Sequence, residues 1–376
     1  MGITIQQNKL KYVYITSIVG CLLLWFTIYE YPADQKADLV TDIEEDRLCT
    51  PTTYNIGQWI YDPSPFTNIA QKAGYNCIKK KFAHRCFRRL SEPDEIVRSK
   101  QILDYRWQPS QCHLLEMNTD LLADHFLQRP ILFIGDSITQ LQFESLSCLL
   151  GHRYQKRQAT MNGGNPRLRV SEIGNENSTA LAYIRSDYLL RLDDFKIMEP
   201  FDSNGAQLGS GENYPWVHAI PEFKYIVINT GPHWHVNERW GPNRSEQELL
   251  SAYEKAMTIV YQYLKDHLQS DQTVWVRTTP HGHAKCSQYT SPQPSPVAPS
   301  GKLGEYDWHL FKEFDLIWKK LIAKGNDIRF QQFDIAEMSN MRGDAHSRPD
   351  KDCLHTCLPG PVDDWNRLLY HEIMKK

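Results

Sequence analysis

From residue 130 onward the chain alternates between short unbroken apolar runs and longer stretches whose apolar residues recur every three or four positions. Ile131-Leu132-Phe133-Ile134 is the first run, and its length and composition predict a strand buried on both faces. Ile138, Leu141, Leu146, Leu149 and Leu150 follow at helical spacing. Tyr225-Ile226-Val227-Ile228 predicts a second strand. Ser245-Glu246-Gln247-Glu248 has the form of a capping box and opens a helix with Leu249, Tyr253, Met257, Val260 and Leu264 on one side. Val274-Trp275-Val276 predicts a third strand, and Trp308, Phe311, Phe314, Ile317, Trp318 and Leu321 another helix. Ile328-Arg329-Phe330 predicts a fourth strand, and Trp365, Leu368, Leu369 and Ile373 a last helix. This alternation predicts an α/β fold, a parallel sheet with helices on both faces. Residues 286–304, rich in Pro, Ser and Gly, read as a long loop at the C-terminal side of the third strand, the edge where open α/β sheets bind ligands.

The pattern before residue 130 is different. Tyr12 to Tyr29 carries no charged residue and is just long enough to cross a bilayer as a helix, with Tyr12, Tyr14 and Tyr29 at the interfaces. Lys9 and Lys11 keep the tail of residues 1–11 on the cytoplasmic side. The run is long for a cleaved signal and no small-x-small site follows it, so residues 12–29 read as a signal anchor. Residues 30–48, with Asp42-Ile43-Glu44-Glu45-Asp46, read as a luminal stem, and 49–376 as the luminal catalytic domain. Within it, residues 49–112 bear cysteines but few periodic segments, and read as an irregular region held by disulfides.

Cysteine usage agrees with an oxidising compartment. Cys21 lies in the apolar run; Cys49, Cys77, Cys86, Cys112, Cys148, Cys286, Cys353 and Cys357 remain, an even set for four disulfides. Sequence alone does not choose among the roughly one hundred pairings. Asn177-Ser178-Thr179 and Asn243-Arg244-Ser245 are glycosylation sequons if luminal. Lys+Arg 42 against Asp+Glu 45 gives a net charge of −3, which argues against a nucleic-acid partner. The 10 Trp and 19 Tyr suit a large core first and carbohydrate binding second.

Two short segments carry the chemistry. Gly135-Asp136-Ser137 follows the first strand directly, and a serine on a tight strand-to-helix turn is placed as a nucleophile. The competing role for Ser137 is a helix N-cap. Asp352 and His355, in Asp352-Cys353-Leu354-His355, supply a base and its orienter, completing a Ser-His-Asp triad for acyl transfer. The turn is not the G-x-S-x-G elbow of α/β hydrolases. Zinc held by Asp352, Cys353, His355 and Cys357 is disfavoured, because six consecutive residues do not easily wrap one tetrahedral ion and luminal thiols oxidise; no metal is expected. Asn229 and Gly163, with Gly135 and Asp136 at the turn and His233 in the loop after the second strand, are the candidates for the oxyanion and pocket. His233 and His235 are runner-up bases.

With these residues in view the chain resembles the PC-esterase family of polysaccharide O-acetyltransferases, the plant trichome-birefringence-like proteins and their fungal relatives. The resemblance runs from about Cys49 to the C-terminus. It rests on Gly57-Gln58-Trp59, Tyr105-Arg106-Trp107-Gln108-Pro109, Gly135-Asp136-Ser137 with Glu144-Ser145-Leu146, Asn229-Thr230-Gly231, and Arg277-Thr278-Thr279-Pro280-His281. Met341-Arg342-Gly343-Asp344-Ala345-His346 and the specific block from Asp352 to Trp365-Asn366 complete it. The resemblance implies an SGNH-hydrolase-like domain of a single-pass type II Golgi membrane protein that acetylates polysaccharide hydroxyls, such as those of cell walls. It implies Ser137 as nucleophile, His355 as base, Asp352 as orienter, and pairings Cys49–Cys112 and Cys77–Cys148, with Cys86 and Cys286 reaching Cys353 and Cys357 in either order. The chain departs from the plant pattern at Gln140-Leu141, at Thr356, and at Pro232-His233-Trp234-His235, positions that bear on the acceptor.

The expected activity is therefore O-acetyl transfer through an acetyl-serine, with no bound cofactor. The chain has no phosphate loop or dinucleotide fingerprint, so the acetyl donor, acetyl-CoA or an acetylated carrier, stays open. A multi-span membrane protein supplying acetyl groups is the partner the resemblance implies. The alternatives are a carbohydrate esterase with the same triad and a non-catalytic glycan-binding protein of the secretory pathway.

Overall fold

The computed structural model of the chain describes residues 48–63, 73–77, 84–86, 93–157, 170–176, 178–199, 212–235, 245–299 and 306–375. The expected tail and anchor, the expected stem up to residue 47, Gly163, Asn177 and Asn243 lie outside the described residues. Among the described residues no helix is long and apolar enough to cross a membrane.

In chain order the elements are β1 (Gly57–Tyr61), α1 (Pro93–Leu103), β2 (Tyr105–Pro109), α2 (Thr119–Gln128), β3 (Ile131–Gly135), α3 (Ser137–Leu149), β4 (Gln155–Arg157), β5 (Val170–Gly174), β6 (Thr179–Arg185) and β7 (Tyr225–Asn229). Then come α4 (Glu246–His267), β8 (Thr273–Arg277), α5 (Phe311–Gly325), β9 (Phe330–Phe333), α6 (Ala336–Ser339), β10 (His346–Arg348), β11 (Asp352–Thr356) and α7 (Pro361–Met374). The capping box opens α4 as its sequence requires: Glu248 N–H donates to Ser245 Oγ, and Ser245 N–H to the Glu248 carboxylate.

The main sheet runs β4-β5-β6-β3-β7-β8-β9. It corrects the expectation of a wholly parallel sheet. β6, β3, β7, β8 and β9 are parallel neighbours, but β4-β5-β6 is an antiparallel edge. Only residues 175–178 join β5 to β6, and Ser178 N–H and Oγ–H both donate to Asn175 Oδ1 across that turn. So short a link closes a hairpin and cannot cross over to a parallel partner. The fourth strand also begins later than expected. Ile328 is 90% exposed, Asp327 and Arg329 are ion-paired in a turn, and pairing starts at Phe330.

The alternating side chains of β3 serve two cores. Ile131 and Phe133 pack with Phe126 of α2, Leu141 of α3 and Trp365 of α7. Leu132 and Ile134 pack on the other face with Met257 of α4 and Phe314 of α5. This double burial explains why the strand reads as a continuous apolar run.

Residues 49–112 are less irregular than expected. β1 and β2 pair antiparallel, with Trp59 edge-on to Trp107 at 5.7 Å between ring centroids. Both indoles bury their N–H on a carbonyl, Trp59 on Met338 and Trp107 on Tyr54. The disulfides are Cys49–Cys112, Cys77–Cys148, Cys86–Cys357 and Cys286–Cys353. This resolves the order of the last two.

Candidate active site

The turn after β3 sets the position of Ser137. Gly135 has φ +152°, and a Cβ there would lie 2.2 Å from Asn229 O and 2.5 Å from Thr139 Oγ1, so only glycine lets β3 end this close to β7. Asp136, fully buried, is the N-cap of α3: its carboxylate accepts from Ile138 N–H at 2.9 Å and Thr139 N–H at 3.4 Å. The capping role considered for Ser137 thus falls to Asp136. Ser137 is the first helical residue, with its hydroxyl free to turn to the cleft.

The other half comes from the β10–β11 hairpin, where Arg348 lies opposite Asp352 and His346 opposite Thr356. His355 Nε2 is 2.7 Å from Ser137 Oγ. Its Nδ1–H faces Asp352, 2.9 Å from Oδ2 and 3.1 Å from Oδ1. Asp352 Oδ1 also accepts from the Leu354 and His355 backbone N–H groups, both at 3.1 Å. Burial opposes ionisation of Asp352, but the hydrogen bond from and charge of His355, with those N–H groups, outweigh it and hold the carboxyl below its ordinary range. The three residues form one hydrogen-bonded chain that can draw a proton from Ser137 Oγ.

Two disulfides and a loop fix the hairpin. Cys353 is tied to Cys286 and Cys357 to Cys86, one on each side of His355. His283 N–H donates to Cys353 O at 2.9 Å. The Cys86 segment runs beside residue 358 through Cys86 N–H to Leu358 O and Leu358 N–H to His84 O. It lays the His84 ring flat on His355, 4.2 Å between centroids and 9° from parallel. His84 Nδ1 shares a hydrogen bond with Ser347 Oγ at 2.8 Å. Burial, reinforced by the His355 charge, lowers the His84 pKa to about 3.

The zinc set does not assemble, since Cys353 and Cys357 are both disulfide-bonded. His84, Asp352 and His355 offer ligand atoms within 4.8 Å of one another. Two stacked imidazoles, however, direct their nitrogen lone pairs in parallel planes and do not converge on one ion.

Ser137 and His355 open into a cleft of about 930 Å³, also lined by Arg185, His233, Tyr306 and Trp308. Asn229 is not presented to it. Its amide donates to Arg277 O at 2.7 Å and Thr279 Oγ1 at 2.9 Å, while its Oδ1 accepts from Arg277 at 2.9 Å. This corrects its expected role as oxyanion donor: a fully buried arginine from the next strand claims the side chain. Arg277 also donates to Ile138 O, Thr139 Oγ1 and Gln142 Oε1, tying β8 to α3, and burial lowers its pKa to about 10.

His233 reaches the cleft but its Nε2 lies 3.4 Å from Asp187 Oδ2, whereas His235 is buried with its ring edge-on to Tyr306. Neither rivals His355 as the partner of Ser137. Sequence reasoning missed Arg185, Asp187 and His84. Thr179–Arg185 is a short apolar run whose strand character would have placed Arg185-Ser186-Asp187 at the ligand-binding edge. His84 left no such signal, because a cross-link to Cys357 puts it in place.

Comparison with known proteins gives the family. The profile described as "GDSL/SGNH-like Acyl-Esterase family found in Pmr5 and Cas1p", PC-Esterase, matches residues 116–372. Protein trichome birefringence-like 25 of Arabidopsis thaliana is 24% identical, covering 90% of this chain and 80% of that protein. Xyloglucan O-acetyltransferase 1 of Arabidopsis thaliana is 23% identical, covering 89% and 83%. Est24, a carbohydrate acetylesterase from Sinorhizobium meliloti, is a structural match at 14% identity and a TM-score of 0.27, covering 65% of this chain and 98% of that one. The chain belongs to the PC-esterase family of GDSL/SGNH-like acyl-esterases.

Proposed function

We propose that this protein is a polysaccharide O-acetyltransferase that works by double displacement through an acetyl-serine on Ser137. The observation that carries the reading is the chain Ser137 Oγ–His355 Nε2 at 2.7 Å and His355 Nδ1–Asp352 at 2.9 Å, opening into a cleft large enough for a sugar chain. In the first half His355 takes the Ser137 proton as Oγ attacks the acetyl carbonyl, and returns it to the departing donor group. In the second half it takes a proton from the acceptor hydroxyl, which displaces Ser137. Asp352 holds the imidazole tautomer with Nδ1–H and offsets the imidazolium charge. The name of the xyloglucan O-acetyltransferase supports transfer to a glycan over transfer to water.

The same reading places residues 12–29 as a Golgi signal anchor with residues from 49 onward in the lumen, where the four disulfides are stable. The donor is an acetyl ester or thioester delivered there by a membrane partner. Purified full-length protein incubated with acetyl donor and a panel of glycans, read by mass, tests the reading. Acetylated glycan and a transient acetyl group on the Ser137 peptide are expected. Acetate released at the same rate with and without every glycan would replace the transferase with an esterase.

A further inference from the structure

Attack by Ser137 Oγ puts negative charge on the acetyl carbonyl oxygen, and that oxygen needs donors. Asn229 cannot be one, because its amide is spent on Arg277 and Thr279. We infer that Arg185 is the side-chain donor that stabilises this oxyanion, a catalytic residue in the same cleft as Ser137 and His355. The inference rests on the acetyl-serine reading and adds a residue to it.

Three observations carry it. Arg185 is the last residue of β6 and pairs with Gly135 of β3. Neighbouring strands lie about 4.8 Å apart, so Arg185 leaves the backbone beside the turn that bears Ser137. Its side chain lines the same cleft as Ser137 and His355.

The guanidinium is also fixed in advance. Its Nε donates to Asp187 Oδ1 at 2.7 Å and its Nη2 to Oδ2 at 3.2 Å. The Asp187 side chain has no exposure, and its Oδ2 accepts from Glu212 N–H at 2.5 Å and lies 3.4 Å from His233 Nε2. Burial works against the Arg185 charge, but Asp187 outweighs it and raises the pKa above the ordinary arginine value. A cation held rigidly by a buried carboxylate costs little reorganisation when charge develops beside it.

Finally, Arg185 has donors to spare. Nη1 takes no partner among the described residues. The backbone N–H of Ser137, at the first helical position, is likewise without a partner there. The two together make a donor pair, one on the turn that bears Ser137 and one on the strand beside it.

The step balances without an outside reagent. The Ser137 Oγ–carbon bond forms, the Oγ proton passes to His355 Nε2, and the carbonyl π pair moves to oxygen, which accepts from Arg185 and from Ser137 N–H. On collapse that pair returns, the donor's C–O or C–S bond breaks, and His355 protonates the leaving group. Arg185 gives up no proton.

The test uses full-length protein and p-nitrophenyl acetate, a neutral acetyl donor with no phosphate or carboxylate for an arginine to bind. Arg185→Gln and Arg185→Met should lower kcat by about 100-fold with KM little changed, as loss of one oxyanion donor does elsewhere. Arg185→Gly should recover part of its rate when guanidinium is added at millimolar concentration, which a purely structural role would not allow. Asp187→Asn, which keeps Arg185 but loosens it, should fall between wild type and Arg185→Gln.

Arg185→Gln turning over within about threefold of wild type would overturn the assignment. A rise in KM with kcat unchanged would do the same, since it marks ground-state binding. Absence of guanidinium rescue in a folded Arg185→Gly, or an Asp187→Asn enzyme with full kcat, also counts against it. Ser137→Ala run in parallel keeps the two failures apart: if Ser137→Ala is inactive and Arg185→Gln is not, only the oxyanion assignment falls. If Ser137→Ala retains turnover, the acetyl-serine reading falls and takes this inference with it.

Discussion

The side of the cleft that bears the proposed nucleophile, Ser137, and the side that bears the proposed base, His355, are held by different physics. Ser137 is placed by the core: β3 is buried on both faces, Gly135 is locked against β7, and Asp136 caps α3. His355 sits on a short hairpin whose strand β11 is only half-buried along its length. There, two disulfides, a stacked ring and carbonyl contacts do what packing does for Ser137. Geometry that comes from the core is as stable as the domain, while geometry that comes from cross-links can be lost with the core intact.

The sharpest use of that contrast removes the nucleophile without disturbing its support. Under the proposed double displacement Ser137→Ala should lower acetyl transfer by at least about a thousandfold, because that route needs Oγ to carry the acetyl group. The cap belongs to Asp136, so thermal melting should stay at the wild-type value. Gly135→Ala does the opposite and attacks the support. Strained φ and the 2.2 Å approach to Asn229 O should lower stability by about 2 kcal/mol or more and take activity with it, read as a fall in denaturation midpoint.

Cutting a cross-link on the base side should separate activity from folding. Replacing Cys286 and Cys353 together with Ser frees β11 from the loop after β8. A displacement of about 1 Å at His355 costs about a hundredfold in rate. Replacing Cys49 and Cys112, a pair outside the cleft, should lose a similar stability of about 2–5 kcal/mol but keep full activity per folded molecule. Equal activity loss in both double variants would mean that the hairpin does not depend on its own bridge.

The same division governs what the sequence could reveal. Strand, Gly-Asp-Ser and helix are contiguous, so the position of Ser137 follows from residues 131–149 alone. Asp352 and His355 are close in sequence and recognisable as a pair, though nothing local says that they meet Ser137. The antiparallel edge was not legible, because β4 is the three polar residues Gln155–Arg157 and carries no apolar alternation. The engagement of Asn229 leaves no local sign, because the residue that occupies it, Arg277, comes from the neighbouring strand. His84 reaches His355 through a bridge that joins residues 271 positions apart. Contacts made through register or long cross-links leave no periodic trace in the chain.

Acid should open the base side first. Burial lowers the pKa of His283 to about 4 and of His346 to about 3, and the two share a 2.8 Å hydrogen bond beneath the hairpin. His346 Nδ1 lies 3.4 Å from His355 O. In the unfolded chain both take a proton near pH 6.5, whereas the folded protein refuses it. Stability is therefore complete above pH 6.5 and falls as pH drops from there towards the folded values near 4 and 3. Hydrogen exchange between pH 7 and 4.5 should show protection lost in β10 and β11 while β3 and β7 stay protected. Uniform loss across the sheet would place both sides of the cleft in one cooperative unit.

The smallest effect belongs to His84. Its ring stays neutral through the working range and covers one face of His355. Stacking of this kind is worth about 0.5–1.5 kcal/mol, so His84→Ala should cost between about twofold and tenfold in kcat if the contact is tighter in the transition state. His84→Phe should recover most of the loss, since it keeps the flat contact and gives up only the bond to Ser347. Because His84 stacks on His355, which the proposed mechanism uses in both half-reactions, acetylation of the protein and transfer to acceptor should slow by the same factor, read in single-turnover and steady-state experiments. A His84→Ala enzyme slowed in one half-reaction only would mean that His84 meets a substrate. A fully active one would mean that the disulfides hold the hairpin without the stacked ring.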